Sequence, residues 1–542
     1  MAKYVFGIDL GTTYSCISYV DESGRATIIN NSEGTNTTPS VVSFASPSQV
    51  VVGQVAKENA VIDPQSTVLL VKTLMGKTDY AINYNGENRS PEEISSYILK
   101  KLAKDASELI DSEVKDVVIT CPAYFGTAEK TATKNAGKIA GLNVLGVINE
   151  PTAAAIYYGC TKAKDEKTIL VYDLGGGTFD VTVMNISSDK IEVICSDGNH
   201  DLGGKNWDDA VMRYLAGEFA NETGFDGDFD EYAEQDLRLK AEKAKQQLTS
   251  KDEVPVIIDA AGLKAKIMLS KTTFNDITST LLNETLEKTD AAIEVAKNKG
   301  FSIDEILLVG GSTKMPQVKE ALISKYGKEP KVLEPDEAVA KGAAIHAVNV
   351  YIDRQEDITE KTASGEEQTI SPEINKEDYQ EKLSADPSMI SIRGKAGTII
   401  EATTKSYALQ VLVNGESKCC NMIIKNEPMT NGAIHISRQF GTADDNQNTA
   451  ELVVYESDIM DEYYPVEDDY VLGTATLELP GNLPAGAPIE VTFILNTEGI
   501  LEVTGKDLTS NREVHAAMQA TGIMASETVD EIKEKSKQVI VM

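Results

Sequence analysis

No run of eighteen or more consecutive apolar residues occurs anywhere in these 542 residues, so no helical membrane span is expected. The opening stretch, MAKYVFGIDLG, lacks the apolar core of a secretory leader and runs directly into a strand-like pattern. Cysteine is scarce. The six present (Cys16, Cys121, Cys160, Cys195, Cys419 and Cys420) show no C-x-x-C spacing, the usage of a reducing compartment. The vicinal Cys419-Cys420 pair is the single candidate for redox chemistry. Bases are also in deficit: 51 Lys and Arg stand against 85 Asp and Glu, a formal net charge of −34. A field of that sign repels phosphate backbones and anionic lipid heads, so neither nucleic acid nor a membrane surface is expected as a partner. These absences together point to a cytoplasmic protein.

What is present is globular. A hydrophobic share of 41% with 25% charged residues is enough to build large cores, and the length predicts about three or four domains. Residues 1–348 alternate apolar, β-rich runs (YVFGIDLG, VKDVVITCPAYF, KTILVYDLGGGTFDVTVMNI, IDEILLVGGST) with amphipathic helical stretches, which predicts an α/β region. The clearest helices are EEISSYILKKLAKDASELI, EQDLRLKAEKAKQQL and LLNETLEKTDAAIEVAKNKG, the last closed by Gly300. Residues 351–390 then hold eleven acids and four bases with few large apolar side chains, so 349–397 is expected to be an acidic insertion and linker. From 398 to 522 short alternating strands broken by Gly, Asn and Pro, with a turn at Asn414-Gly415, predict an antiparallel β domain. Residues 523–542 carry one short helix, with Ser526 as its N-cap.

Two strands end alike. GIDLGTTYS (Gly7 to Ser15) and YDLGGGTFD (Tyr172 to Asp180) each place an acid before glycines and a threonine, so that backbone N–H groups and hydroxyls approach phosphate oxygens while the acid faces a cation. The duplication across about 165 residues suits a symmetric, two-lobed phosphate clamp. A third element, ILLVGGSTKMPQV, leads a buried-type strand through paired glycines into a helix, whose N-terminal amides suit a nucleoside or phosphate.

These strings, together with CPAYFGTAEKTATKNAGKIAGL, VINEPTAAAIYYG, DLGGKNWDD, AEKAKQQLT, EPDEAVAKGAA, ADDNQ and IEVTFILNTEGILEVTGKD, resemble the seventy-kilodalton heat-shock (DnaK-type) chaperone family across residues 4 to about 510. The resemblance implies an α/β, two-lobed actin- and hexokinase-like ATPase domain followed by an antiparallel β-sandwich that binds peptide. It further implies ATP/ADP and Mg²⁺ as cofactors, with K⁺ as an additional candidate. Asp9 and Asp173 would hold the metal shell. Gly11, Thr12, Thr13, Gly176 and Gly177 would cradle phosphates, and Tyr14 would be a further cofactor-binding residue. Lys72, Glu150, Thr178 and Asp173 would be catalytic, and Glu242, Lys245, Thr249, Gly311, Ser312 and Asp336 would take the nucleoside. Leu409, Leu412, Phe440, Ala443 and Ala450 would form a hydrophobic peptide cleft for unfolded or extended segments.

Several positions depart from the family pattern. The segment between Gly76 and Ser90 is short, predicting a trimmed subdomain. Gly146 stands where an arginine docks J-domain co-chaperones, and Lys130 and Lys314 replace arginines, keeping the charge without its bidentate geometry. The linker offers only TIIE (Thr398 to Glu401) in place of four leucines between acids. Seventeen residues follow residue 525, where a full lid needs about a hundred by the same resemblance. The expectation is therefore an ATP-dependent chaperone with weakened interdomain coupling and no full lid. The alternative is a non-cycling, ATP-binding adaptor acting through protein partners.

Overall fold

The structure, a computed structural model, describes residues 4–542 apart from 78–79, 163–165, 188–189, 364–397, 480–482, 510–511, 517–518 and 521–522. The two duplicated strings fold as antiparallel hairpins: Phe6–Asp9 with Tyr14–Val20, and Lys167–Leu174 with Phe179–Ile186. Each hairpin sits in its own sheet with parallel strands on one side. The first sheet runs Asn143–Asn149, Asp116–Cys121, Phe6–Asp9, Tyr14–Val20, Ala26–Ile29. The second runs Lys331–Val332, Glu305–Val309, Lys167–Leu174, Phe179–Ile186, Lys190–Asn199, and the linker strand Thr398–Ile400 closes it. Helices cover both faces, so the central strands are continuously apolar, as in Lys167–Leu174 where every residue after Lys167 is buried.

The lobes meet through the helix Ala338–Ala363, which packs on the first hairpin and on the helix Glu150–Lys162. The approach is so close that a Cβ on Gly342 would lie 1.7 Å from the Ala153 carbonyl oxygen, which only glycine permits. This helix overruns the boundary expected at residue 348, because its apolar face (Ala343, Ala344, Ala347, Val348) is in mid-core there. The acidic insertion lies, from residue 364 to 397, outside the described residues. The short segment after Gly76 holds a two-stranded hairpin, Ile82–Tyr84 with Glu87–Arg89.

The β domain is two antiparallel sheets, one of six strands centred on Ser406–Val413 and one of four centred on Pro488–Asn496 and Leu501–Asp507. Alternate residues such as Leu409, Val454, Val491, Phe493 and Val503 point inward to a common core. Asn414 and Gly415 both have positive φ (54° and 84°), as the two-residue hairpin turn predicted from their identities requires.

Two features differ from expectation. The two-isoleucine linker docks: Thr398–Ile400 pairs in parallel with Lys190–Glu192, Ile399 packs on the interlobe core and Ala402 is part of it. The backbone ladder supplies what the short apolar run lacks. The C-terminal helix, Ser526–Ser536, lies on the first lobe against the helix Thr127–Ile139, and the chain ends in a strand, Ile540–Val541, paired in parallel with Gln49–Val50. Its cap is Ala525 in extended conformation, and Ser526 is already helical.

Candidate active site

The turns of the two duplicated hairpins face one another across a cavity of about 460 Å³ between the lobes. Their glycines are required by that meeting. A Cβ on Gly176 would lie 2.3 Å from Thr13 Oγ1, and one on Gly177 would lie 2.6 Å from Thr12 Cγ2. The Gly175 carbonyl accepts from the Gly204 N–H (2.9 Å) and from Ser312 Oγ (2.9 Å), and the Lys205 N–H donates to the Gly176 carbonyl (2.7 Å). These bonds fasten the second turn to the N-terminus of the helix Gly204–Thr223 and to the Gly311–Lys314 turn. The helix terminus adds a positive dipole end beside the phosphate turns.

Asp9, Gly11, Thr12, Thr13, Tyr14, Lys72, Glu150, Asp173, Gly176, Thr178, Glu242, Lys245, Thr249, Gly311, Ser312 and Asp336 all line this one cavity. Gly177 is one step behind the wall, backing Thr12. Lys72 and Glu150 are both buried and form an ion pair, and Thr120 Oγ1 donates to Asp9 (3.0 Å). On the nucleoside side, Lys245 is held by Asp208 (2.8 Å) and by the Gly204 carbonyl (2.9 Å). Glu242 is bridged across the cavity mouth by Lys57 (2.6 Å) and accepts from the Tyr14 hydroxyl (3.3 Å). Lys314 pairs with Asp336.

One residue escaped the sequence reading. Asp180, two positions after Thr178 on the hairpin's return strand, is fully buried, and its Oδ1 has no hydrogen-bond partner. Its signal was available, since a charged residue inside an otherwise apolar strand is expensive unless it has work to do.

The carboxylates crowd. Burial, then the charge of Glu150, pushes Asp9 up to about 7, and the same two causes raise Asp173 and Asp180 well above the ordinary carboxylate range. Lys72 opposes this in all three. A buried anionic cluster of this kind, beside backbone amides, fits a polyphosphate brought with a divalent cation. Among the described residues no three His, Cys, Asp or Glu side chains are grouped to hold a metal unaided. Asp9 and Asp173 at the two facing turns suit Mg²⁺, which keeps several waters and takes one or two carboxylates plus substrate phosphates.

The residues expected in a peptide cleft do not share one surface. Leu409 and Ala450 are in the β-domain core, Phe440 packs on its edge, Ala443 is exposed and Leu412 is 62% exposed. The strand's two-residue period explains the first split, because positions 409 and 412 differ by an odd number and face opposite ways.

Sequence reading missed the junction between the domains. Glu456 of the β domain, half-buried, accepts from the Thr127 N–H (3.1 Å) and Oγ1 (3.3 Å) at the N-terminus of the helix Thr127–Ile139. Asn149 donates to Glu401 (3.1 Å), the Ser196 N–H donates to Asn426 Oδ1 (3.0 Å), Lys299 donates to the Asn426 carbonyl (2.8 Å), and Lys134 pairs with Glu498 (2.5 Å). The Lys130 stem lies against Gly499.

A family model described as Hsp70 protein matches residues 5–81, 77–359 and 400–541. The chain is 37% identical over 547 residues to Chaperone protein DnaK of Thermosipho melanesiensis, covering 99% of this chain and 83% of that one. It is 37% identical over 546 residues to Chaperone protein DnaK of Thermotoga neapolitana, and 36% to that of Thermotoga maritima, each covering 99% and 84%.

Proposed function

The chain belongs to the Hsp70 family, and on that premise we propose that the interlobe cavity turns over ATP through Lys72, Glu150, Thr178 and Asp173. As an Hsp70 it is an ATPase and a chaperone. The observation that carries the residue assignment is the pair of interlocked phosphate turns beside the Lys72–Glu150 ion pair.

Backbone amides and the hydroxyls of Thr12 and Thr13 hold phosphate oxygens. Lys72 swings its charge from Glu150 to the terminal phosphoryl group, which frees Glu150 to orient the attacking water, while Thr178 fixes that phosphoryl's position. Asp9 and Asp173 would hold Mg²⁺, which would supply charge neutralisation when bound. Catalysis here is positioning and electrostatics, with no covalent intermediate on the protein. Glu242, Lys245, Thr249, Gly311, Ser312 and Asp336 take the nucleoside.

The β domain binds extended apolar segments of unfolded chains, and we assign the docked arrangement to the ATP form. The linker's side chains contribute little to coupling, since only Ile399 reaches the core; its backbone ladder and the polar junction carry the rest. Co-chaperones are expected partners, and Gly146, on the strand Asn143–Asn149 with open space beside it, offers a J-domain no arginine. No helix among the described residues is long and apolar enough to cross a membrane, and a cytoplasmic setting suits the family. Single-turnover hydrolysis of ATP with and without Mg²⁺ tests the assignment: turnover is expected in the wild type and loss of it, with ATP still bound, in Glu150→Ala. Equal turnover in both would remove Glu150 from the site.

A further inference from the structure

The β domain is fastened to the nucleotide domain at both of its ends, and the second fastening reaches the wall of the cavity mouth. After the helix Ser526–Ser536 the chain crosses to the open edge of a first-lobe sheet whose order is Ile540–Val541, Gln49–Val52, Val42–Ser46, Thr67–Val68. The Ile540 N–H donates to the Ser48 carbonyl (2.9 Å), the Met542 N–H to the Val50 carbonyl (2.9 Å) and the Val52 N–H to the Met542 carbonyl (3.0 Å). Val541 is buried in the first-lobe core. Lys100 donates to Ser536 Oγ (2.6 Å), and Lys104 to the Val541 carbonyl (3.3 Å).

The strand that receives this segment ends at Val52. Gly53, at φ 98°, then turns the chain directly into the helix Gln54–Ile62. Lys57 on that helix makes the bridge to Glu242 and the hydrogen bond to the Tyr14 hydroxyl (2.9 Å), and just beyond it Gln65 donates to Glu231 (3.1 Å). A strand added at Gln49–Val52 therefore stiffens the segment that carries the only described Lys–Glu bridge across the nucleoside-side mouth. The fastening is also built to release. It is two residues long, Ile540 is 56% exposed, and an eleven-residue helix holds no structure alone.

We propose that residues 526–542 form a strap which, while seated on the Gln49–Val52 edge, holds the helix Gln54–Ile62 against the second lobe and slows departure of nucleotide, and which movement of the β domain unseats. The strap rests on the nucleotide reading of the cavity. It makes nucleotide exchange sensitive to the β domain through the first lobe, independently of the linker strand in the second.

The test uses the full chain and N-methylanthraniloyl-ADP as probe, with release followed by stopped-flow fluorescence and strap seating followed by amide hydrogen exchange at Val52. Val541→Asp is expected to expose the Val52 amide and to speed release at least threefold. Gln49→Cys with Ile540→Cys, placed on register partners that are both exposed, is expected to slow release at least threefold on oxidation and to recover on reduction. The cysteine pair keeps the test decisive should Val541→Asp fold poorly. An exposed Val52 amide with an unchanged release rate, or no change on oxidation, overturns the strap. Absence of probe binding to the wild type would overturn the nucleotide reading and the gating with it, whereas strap seating is still read separately at Val52.

Discussion

The nucleotide cavity and the domain junction adjoin, since Glu150 lines the cavity while its neighbour Asn149 bonds to Glu401, yet they are built in different ways. The cavity draws on a few contiguous strings, and its glycines are fixed by close approach of the opposite turn, as where Gly176 and Gly177 abut the side chains of Thr13 and Thr12. The junction draws one residue at a time from distant places: Thr127, Asn149, Ser196 and Lys299 on one side, Glu401, Asn426 and Glu456 on the other. A site that must cradle phosphate with main chain constrains runs of sequence. A contact between side chains constrains only single positions, and many pairs would serve.

The sharpest way to separate the two regions is to disable one while leaving the other. Lys72→Ala removes the cavity's buried cation and should lower turnover by about 10²- to 10³-fold, the range seen when one preorganised charge-stabilising donor is deleted. Thr178→Val should fall in the same range with binding retained. Neither touches the junction, so amide exchange at Thr127 should match the wild type in ATP. Loss of protection there would mean that the two regions are not separable.

Glu456→Ala makes the converse cut. The Thr127 N–H and hydroxyl lose their acceptor in a buried place, a cost of about 1–3 kcal/mol to docking. Turnover with ATP saturating should stay within about threefold, since Glu456 contacts no cavity residue, while Thr127 exchange accelerates by about tenfold or more at 1.4 kcal/mol per decade. A turnover loss as large as that of Lys72→Ala would show that docking assembles the catalytic groups.

The same contrast explains what could be read from sequence. The duplicated hairpins were legible because acid–glycine–threonine strings have few other uses, whereas Lys72, Glu150 and the Glu242–Thr249 helix face could be named only through the family resemblance. Asp180 closes the YDLGGGTFD string, and only its burial in an apolar strand marks it as more than the string's end. The linker was misjudged by counting apolar side chains, when three residues of parallel ladder to Lys190–Glu192 fasten it. The C-terminal helix was read correctly as a helix, but nothing in SETVDEIKEKS says which surface its single buried valine, Val529, will meet. Leu409 and Leu412 sit an odd number of residues apart on one strand, so they face opposite ways and cannot line one cleft.

The linker itself offers a smaller effect. Ile399 is only partly buried, so Ile399→Ala should weaken docking by about 1 kcal/mol, below the 1.5–3 kcal/mol of a fully buried side chain. A peptide titrated in ATP and in ADP, with Thr178→Val to slow hydrolysis, should differ in affinity by less than about tenfold, or 1.4 kcal/mol. A hundredfold difference abolished by Ile399→Asp with Ile400→Asp would make the linker, and not the polar junction, the main carrier.

The smallest expected effect is on pH, and it distinguishes the junction's carboxylates from its ion pairs. Burial, then the nearby charge of Glu129, raises Glu456 when docked; burial raises Glu401 against the opposing pull of Thr152, Lys130 and Asn149. Undocked and hydrated, both return to the usual range near about 4.3. A group whose pKa is higher in the docked state binds its proton more readily there, so docking gains as pH falls toward the docked value and loses that gain as pH rises above it. Asp458 gives no such response: although burial opposes them, Lys405 and Lys425 hold it at about 2, and it stays charged throughout. His200, held below its usual range by burial and by Lys405, lies close enough to contribute at the acid end. Between pH 7.5 and 5.5 docking in ATP, read by Thr127 exchange, should therefore strengthen by roughly threefold, well under the limit of tenfold per pH unit for each proton. Glu401→Gln with Glu456→Gln leaves His200 in place and should flatten the response. His200, whose docked pKa is lowered, binds its proton less readily when docked and so gives the opposite sign; a slope of the expected sign that survives in the double variant would remove both carboxylates as its source, and an opposite slope would assign the response to His200.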